Sequence, residues 1–357
     1  MKMIHCADIH LDSRMESGLS VEKARERRLE LLHTFTQMIE QASEDGVEAI
    51  LICGDLFDGK SVSVRARNCV LDAVVQHPQI MFYYLQGNHD QGSFLESLSR
   101  LPDNLRTFGA DWTFYDQGDV VITGVENLAE NRDSIMEHLS LEEDRTNIVM
   151  LHGMAVEYLA KDQTDAFSIQ KLRGKNIDYL ALGHIHSFRL ERLDDRGIWC
   201  YCGCLEGRGF DECGQKGYVE LEVNRGTVVS RFIPFARRSL HEVSVDITGT
   251  VKQEEMQRRI RGKVQEIPAK DMLKIRLTGR TVPEAEKDPV WLRKWMEEEF
   301  YFLKIQDETT LLIHPEDYQY DVSLKGEFVR LVLNSNIPDE EKEEILRRGI
   351  QALERKG

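Results

Sequence analysis

Short apolar runs that end in polar clusters recur through the first part of the chain: Met3 to Ala7, Ala49 to Cys53, Ile80 to Leu85, Val120 to Gly124, Asn147 to Leu151, Tyr179 to Leu182 and Ile198 to Cys202. Runs this short with little alternation are expected of strands buried on both faces. Between the first two, Leu29, Leu32, Phe35, Ile39 and Ala42 recur at helical spacing and Asp45-Gly46 supplies a stop, which predicts a helix over Val21 to Ser43. Strand and helix alternate, so the expected class is α/β, with a two-sheet β core flanked by helices. Further on, Tyr218 to Val223 and Val228 to Phe232 flank Asn224-Arg225-Gly226, a hairpin signal that suggests an antiparallel second sheet.

The pattern changes after a linker-like stretch, Pro234 to Ser239. From His241 the order reads β-α-β-α-β, with helices over Val251 to Ile267 and Trp291 to Phe300 and alternating strands over Met272 to Thr278 and Tyr301 to Ile305. Lys325 to Leu333 and Asp339 to Arg355 read as two helices, Pro338 standing at the start of the second. The expected organisation is a large domain over 1–238, a small α+β domain over 239–320 and a helical segment over 321–357. This agrees with the two domains that a chain of 357 residues suggests at about 150 residues each.

Composition narrows the class. With 41% hydrophobic and 30% charged residues, a largely disordered chain is excluded. The apolar runs fall far short of the roughly 20 residues a membrane span needs, and the N-terminus lacks a basic stretch followed by an apolar one, so a cytoplasmic location is expected. Seven cysteines cannot all pair within one chain, and Cys6 and Cys53 sit in strand-like runs, which favours a reducing compartment. Cys200, Cys202 and Cys204 would share one strand face, a spacing that structural zinc sites do not favour. The net charge of −16 argues against a surface coated for nucleic acid. Metal-binding carboxylates lower that count without repelling a phosphate once cations are bound, so global charge does not decide the substrate.

The strand-like runs end in metal-binding chemistry: Asp8-Ile9-His10, Gly54-Asp55-Leu56-Phe57-Asp58, Gly87-Asn88-His89-Asp90, Leu151-His152-Gly153 and Gly183-His184-Ile185-His186. Ligands of open α/β sheets bind beyond the carboxyl ends of the strands, so these side chains are expected to converge. Oxygen ligands mixed with imidazoles suit Mn, Fe or Zn better than Mg or Ca, with manganese first. The glycines let the backbone turn sharply and approach a metal and a phosphate closely. His5, His33, His77, His138, His241 and His314 lack such a context and read as structural or solvated.

The series D-x-H, G-D-L-F-D, G-N-H-D, L-H-G and G-H-I-H resembles that of the calcineurin-like metallophosphoesterases. Within that superfamily, Cys6 to Asp12, Gly54 to Asp58 and Tyr201 to Glu212 resemble the SbcD-type DNA repair exonucleases, bacterial counterparts of the eukaryotic meiotic-recombination nuclease. The resemblance covers roughly residues 1 to 235 well and the remainder in outline. It implies a phosphodiesterase that cleaves DNA with two divalent metal ions, one held by Asp8, His10, Asp55 and His186, the other by Asp55, Asn88, His152 and His184. Asp55 would bridge them, and His89 would be the general acid. It further implies a capping domain that positions DNA, an SMC-like coiled-coil ATPase held by the C-terminal helices, and a homodimer formed through Ser61 to Val75 and Ser93 to Leu101. The same metal core also serves phosphodiesterases and phosphatases acting on nucleotides or other small phosphoesters. A scaffold that lost its chemistry is the third reading, against which every expected ligand is present together with His89.

Some positions carry two readings. Asp58 stands where the wider superfamily has an aspartate that supports the acid histidine and where some nuclease relatives have histidine; it also stands where it could cap a helix starting near Ser61. Cys202 and Cys204 replace the proline and small residue usual in the relatives. Arg208 is placed for a phosphate contact or for a structural salt bridge. Arg25, Arg27 and Arg28, Arg65 and Arg67, and Arg258, Arg259 and Arg261 read either as contacts to a DNA backbone or as solvated helix faces.

Overall fold

The computed structural model describes residues 1–15, 18–59, 62–90, 93–98, 100–126, 135–158, 165–282, 285–313 and 315–354. They fall into two compact units, Met1–Ser239 and Leu240–Gly357.

In the first unit the strands are β1 (Lys2–Cys6), β2 (Ala49–Cys53), β3 (Met81–Leu85), β4 (Leu105–Thr107), β5 (Thr113–Gln117), β6 (Val120–Gly124), β7 (Thr146–His152), β8 (Met154–Val156), β9 (Ala166–Ser168), β10 (Tyr179–Gly183), β11 (Arg189–Arg192), β12 (Ile198–Tyr201), β13 (Gly217–Asn224) and β14 (Thr227–Pro234). One six-stranded sheet has the order β14-β13-β1-β2-β3-β4, the other β11-β12-β10-β7-β6-β5, and β8 pairs with β9 alone. Strands β1 to β4 are mutually parallel, as are β6, β7, β10 and β12. The hairpin at Asn224 to Gly226 forms, but it does not found a second sheet. Strand β13 runs antiparallel along β1, pairing Met3 with Leu221, and so extends the first sheet.

The pleat decides what each strand touches. Ile4, Ile50, Ile52, Phe82 and Tyr84 face the outside of the first sheet, where α1 (Val21–Glu44) and α2 (Val64–Gln76) bury Leu31, Phe35, Ile39, Ala66, Val70 and Val74 against them. Met3, Leu51, Tyr83 and Leu85 face inward and meet Ile122, Ile148, Met150, Tyr179 and Ala181 of the second sheet. With both faces covered, these strands have no use for polar alternation, which is why their sequences read as unbroken apolar runs. Serines cap both helices: Ser20 accepts from the Lys23 N–H and Ser63 from the Ala66 N–H.

The second unit carries a three-stranded parallel sheet of Leu240–Asp246, Met272–Thr278 and Phe302–Asp307, the middle strand being central. Helices Gln253–Val264 and Pro289–Met296 bury Met256, Ile260, Val264, Leu292 and Met296 against Ile275 and Leu277. Helices Leu324–Leu333 and Asp339–Glu354 form a small core of Val329, Val332, Leu346 and Ile350. No helix among the described residues is long and apolar enough to cross a membrane.

Candidate metal centre

The parallel strands of both sheets deliver their carboxyl ends to one place. Asp8 and His10 follow β1, Asp55 follows β2, Asn88 and His89 follow β3, His152 ends β7, and His184 and His186 follow β10. Two close approaches make this possible. A Cβ on Gly54, whose φ is +86°, would run into the His152 imidazole, and one on Gly183 would run into the Cys53 carbonyl. Asp8, His10, Asp55 and His184 themselves have positive φ, at 51°, 49°, 51° and 99°. Four non-glycine residues in that region in one cluster mark a site where backbone strain is held by its surroundings.

The side chains form one network. Asp8 accepts the His184 N–H with both oxygens, at 2.9 and 3.0 Å. Asp55 Oδ1 accepts the His89 N–H at 2.8 Å, while its Oδ2 lies 3.3 Å from His152 Nε2 and 3.8 Å from His10 Nε2. Asn88 Oδ1 lies 2.9 Å from His152 Nε2 and 3.3 Å from His184 Nδ1. The His10 and His186 Nε2 atoms are 3.2 Å apart. His152 directs Nδ1 to the Cys53 carbonyl and His186 directs Nδ1 to Glu212, so each ring turns Nε2 into the cluster. Carboxylate, amide and imidazole ligand atoms thus face a common space, which a cation would fit in place of the ring protons between them. The sets Asp8, His10 and His186; Asp8, Asp55 and His152; and His10, Asp58 and His89 each bring their ligand atoms within 4.8 Å of one another and could hold a metal.

Electrostatics show the same tension. Burial pushes the Asp8 carboxyl up to about 6 and the His10 imidazole down to about 4. Burial also opposes the Asp55 carboxylate, but the hydrogen bond and charge of His152 outweigh it and hold the carboxyl well below its usual range. Conversely His152 is raised to about 9, burial being overcome by Asp55.

His89 stands at the rim of the cluster, its ring 5.1 Å from that of His10. Its side chain is 47% exposed, and its Nδ1 lies 3.2 Å from Asp58 Oδ1. Asp58 does not cap α2; Ser63 does, supported by Asp12, which accepts from the Ser63 N–H and hydroxyl at 2.6 and 2.9 Å. His10, whose Nδ1 lies 3.7 Å from Asp58 Oδ1, and the nearby Arg208 keep the Asp58 carboxyl well below its ordinary value. Arg208 is in a salt bridge, 2.8 Å from Glu212 and 3.6 Å from Asp58.

Two carboxylates escaped sequence reasoning as functional residues. Buried Asp90 accepts the N–H groups of Leu56, Phe57 and Gly87 and so ties the β2 and β3 loops together. Glu212 receives His186 Nδ1 at 2.6 Å. Both lie inside quoted motifs, but Leu56 and Phe57 for Asp90 and His186 for Glu212 are distant in sequence, and nothing local signals those contacts. Among the arginine groups, Arg27 is buried and pairs with Glu30 and Glu206, so it faces no backbone of DNA. Cys200, Cys202 and Cys204 are free and buried, and burial pushes the Cys200 thiol up to about 12. Buried His5 bonds the Tyr179 hydroxyl at 2.9 Å, His77 donates to the Ala73 carbonyl and His241 pairs with Asp271. His33 and His138 are exposed, and His314 lies outside the described residues.

Residues 1–188 match the family model described as calcineurin-like phosphoesterase. The chain is 26% identical over 295 residues to the DNA double-strand break repair protein Mre11 of Haloferax volcanii, covering 80% of this chain and 63% of that one. It is 26% identical over 261 residues to the uncharacterized metallophosphoesterase YhaO of Bacillus subtilis, covering 70% and 64%. It therefore spans less than two thirds of the length of either curated relative. A dimetal phosphatase from Danio rerio superposes with a TM-score of 0.41 at 12% identity, over 64% of this chain and 98% of that one.

Proposed function

Because this chain belongs to the calcineurin-like phosphoesterase family, we propose that it is a metal-dependent phosphodiesterase that hydrolyses DNA. The observation that carries the reading is the convergence on Asp55, whose two oxygens face different neighbours at the centre of the cluster. One divalent cation, Mn2+ first and Fe or Zn next, is assigned to Asp8, His10, Asp55 and His186, and a second to Asp55, Asn88, His152 and His184. Bound there, the pair supplies Lewis-acid stabilisation of the phosphate and a nucleophilic water at neutral pH.

The chain's own residues do the rest. Glu212 and the Cys53 carbonyl fix the rings of His186 and His152, so that Nε2 of each faces the centre. His89, exposed at the rim, protonates the departing sugar oxygen, and Asp58 stabilises its imidazolium. DNA is favoured over small substrates by the sequence between Tyr201 and Glu212 and by the name of the Haloferax relative. The second unit is assigned to positioning DNA, and the helices Leu324–Leu333 and Asp339–Glu354 to an SMC-like coiled-coil ATPase, for which exposed Val322, Leu324 and Leu331 offer apolar contacts. Helix α2 and the turn Ser93–Glu96 are assigned to a homodimer contact.

The second reading, a phosphodiesterase or phosphatase for nucleotides or other small phosphoesters, draws on Asp58, which lies beside His89 and stands where some nuclease relatives have histidine. The two readings separate in one assay. Mn2+-dependent degradation of linear DNA is compared with hydrolysis of cyclic nucleotides and of a chromogenic phosphodiester, with and without a coiled-coil ATPase. Turnover confined to the small substrates under every condition removes DNA as the substrate.

A further inference from the structure

Behind the candidate centre lies a second charged cluster that is almost dry. Glu206, 1% exposed, accepts from Arg27 Nη2 at 3.0 Å, from the Thr34 hydroxyl at 2.8 Å and from the Arg237 N–H at 2.6 Å. Arg27 also donates to the Gly207 carbonyl at 2.9 Å and pairs with Glu30, which Arg238 holds from the other side at 2.7 Å. The chain at 206–207 is therefore clamped to α1 by charge-assisted bonds in a site from which water is excluded, where leaving any partner alone is costly.

Arg208 leaves this clamp and reaches two carboxylates. Its backbone N–H and Nη2 hold Glu212 at 2.7 and 2.8 Å, and Glu212 in turn takes Nδ1 of His186 at 2.6 Å. Its Nη1 lies 3.6 Å from Asp58 Oδ2, and the other oxygen of Asp58 is 3.2 Å from Nδ1 of His89. One guanidinium thus stands between two carboxylates, one bonded to the His186 imidazole and the other 3.2 Å from that of His89. An ordinary salt bridge needs one carboxylate. The planar fork of arginine suits two, while the single ammonium of lysine is a point charge.

We propose that Arg208 is a positioning residue that sets His186 and His89 simultaneously through Glu212 and Asp58, with the buried Arg27–Glu206 pair as its fixed support. The proposal rests on the reading of His186 as a metal ligand and His89 as the acid. Through the first arm it tunes cation affinity, and through the second it aligns the proton donor with the leaving oxygen.

The test uses Arg208→Met and Arg208→Lys in the purified chain, with folding checked by circular dichroism. Mn2+ affinity is measured by calorimetry, and turnover at saturating Mn2+ is measured on DNA and on bis-p-nitrophenyl phosphate, whose leaving group departs without a proton. Arg208→Met is expected to bind Mn2+ about 10- to 100-fold more weakly and to lose at least about tenfold more kcat on DNA than on the nitrophenyl ester. Arg208→Lys is expected to recover one of these two properties and not both, and it carries the test should Arg208→Met not fold. Folded variants with wild-type Mn2+ affinity and an unchanged ratio of the two activities overturn the proposal, whatever their melting temperatures. His186→Ala separates the levels: wild-type Mn2+ affinity in that variant overturns the ligand reading itself, whereas loss there with no change in Arg208→Met overturns only the positioning role.

Discussion

His152 donates Nδ1–H to the Cys53 carbonyl at 2.9 Å, and that bond turns Nε2 of the same ring to within 3.3 Å of Asp55 Oδ2. A backbone group of β2 thereby sets the direction of a side chain on β7, and Asp55 sits where strands of both sheets meet.

If Asp55 bridges two cations, Asp55→Asn removes one shared anionic ligand from both. Metal analysis of the dialysed variant is expected to find fewer than two Mn2+ per chain, with activity lost in parallel. Full retention of both ions would remove the bridge.

His89 is exposed at the rim and is not among the ligands assigned to the two cations, so its loss should spare them. His89→Asn is expected to keep wild-type metal content while kcat on DNA falls by about 10² or more. Unaltered turnover would take the acid role from it.

Gly54 combines a φ of +86° with direct proximity to the His152 ring. Gly54→Ala meets both a conformational penalty of about 1–2 kcal/mol and displacement of that ring. A lowered melting temperature together with weakened Mn2+ binding is expected; a variant with either property unchanged would show that the contact is not needed.

Glu30 reports on acid stability away from the centre. Burial raises its pKa, but hydrogen bonds from Arg238 and Arg27 overcome this and leave it below the ordinary value of 4.5. Folding therefore favours the ionised form: the contribution is complete above about 4.5 in the ordinary glutamate range and is lost as pH falls from there through the folded-state value. Thermal melts from pH 7 to 3 are expected to show Glu30→Gln well below wild type at neutral pH, with the gap narrowing on acidification. A constant gap across that range would contradict the linkage.

Local signals made the strands, α1 and the motif residues legible in the sequence. Buried strands need continuous apolar runs, and Asp, Asn and His next to glycine at their ends stand out against such runs. The same locality explains what sequence could not supply. The hairpin after Tyr218 was readable, but its choice of β1 as partner depended on pairing Leu221 with Met3, 218 residues apart in the chain. Asp58 had two readings until the fold put Ser63 at the helix cap and His89 beside the carboxylate. Arg27 looked like any solvated helix arginine, and only Glu206, 179 residues on, made it a buried ion-pair partner. By itself the sequence determined which residue types stand at the strand ends; the tertiary structure decided which ligand atoms face one another. Ligand chemistry belongs to single side chains, whereas burial, ring orientation and charge pairing exist only between groups that folding has brought together.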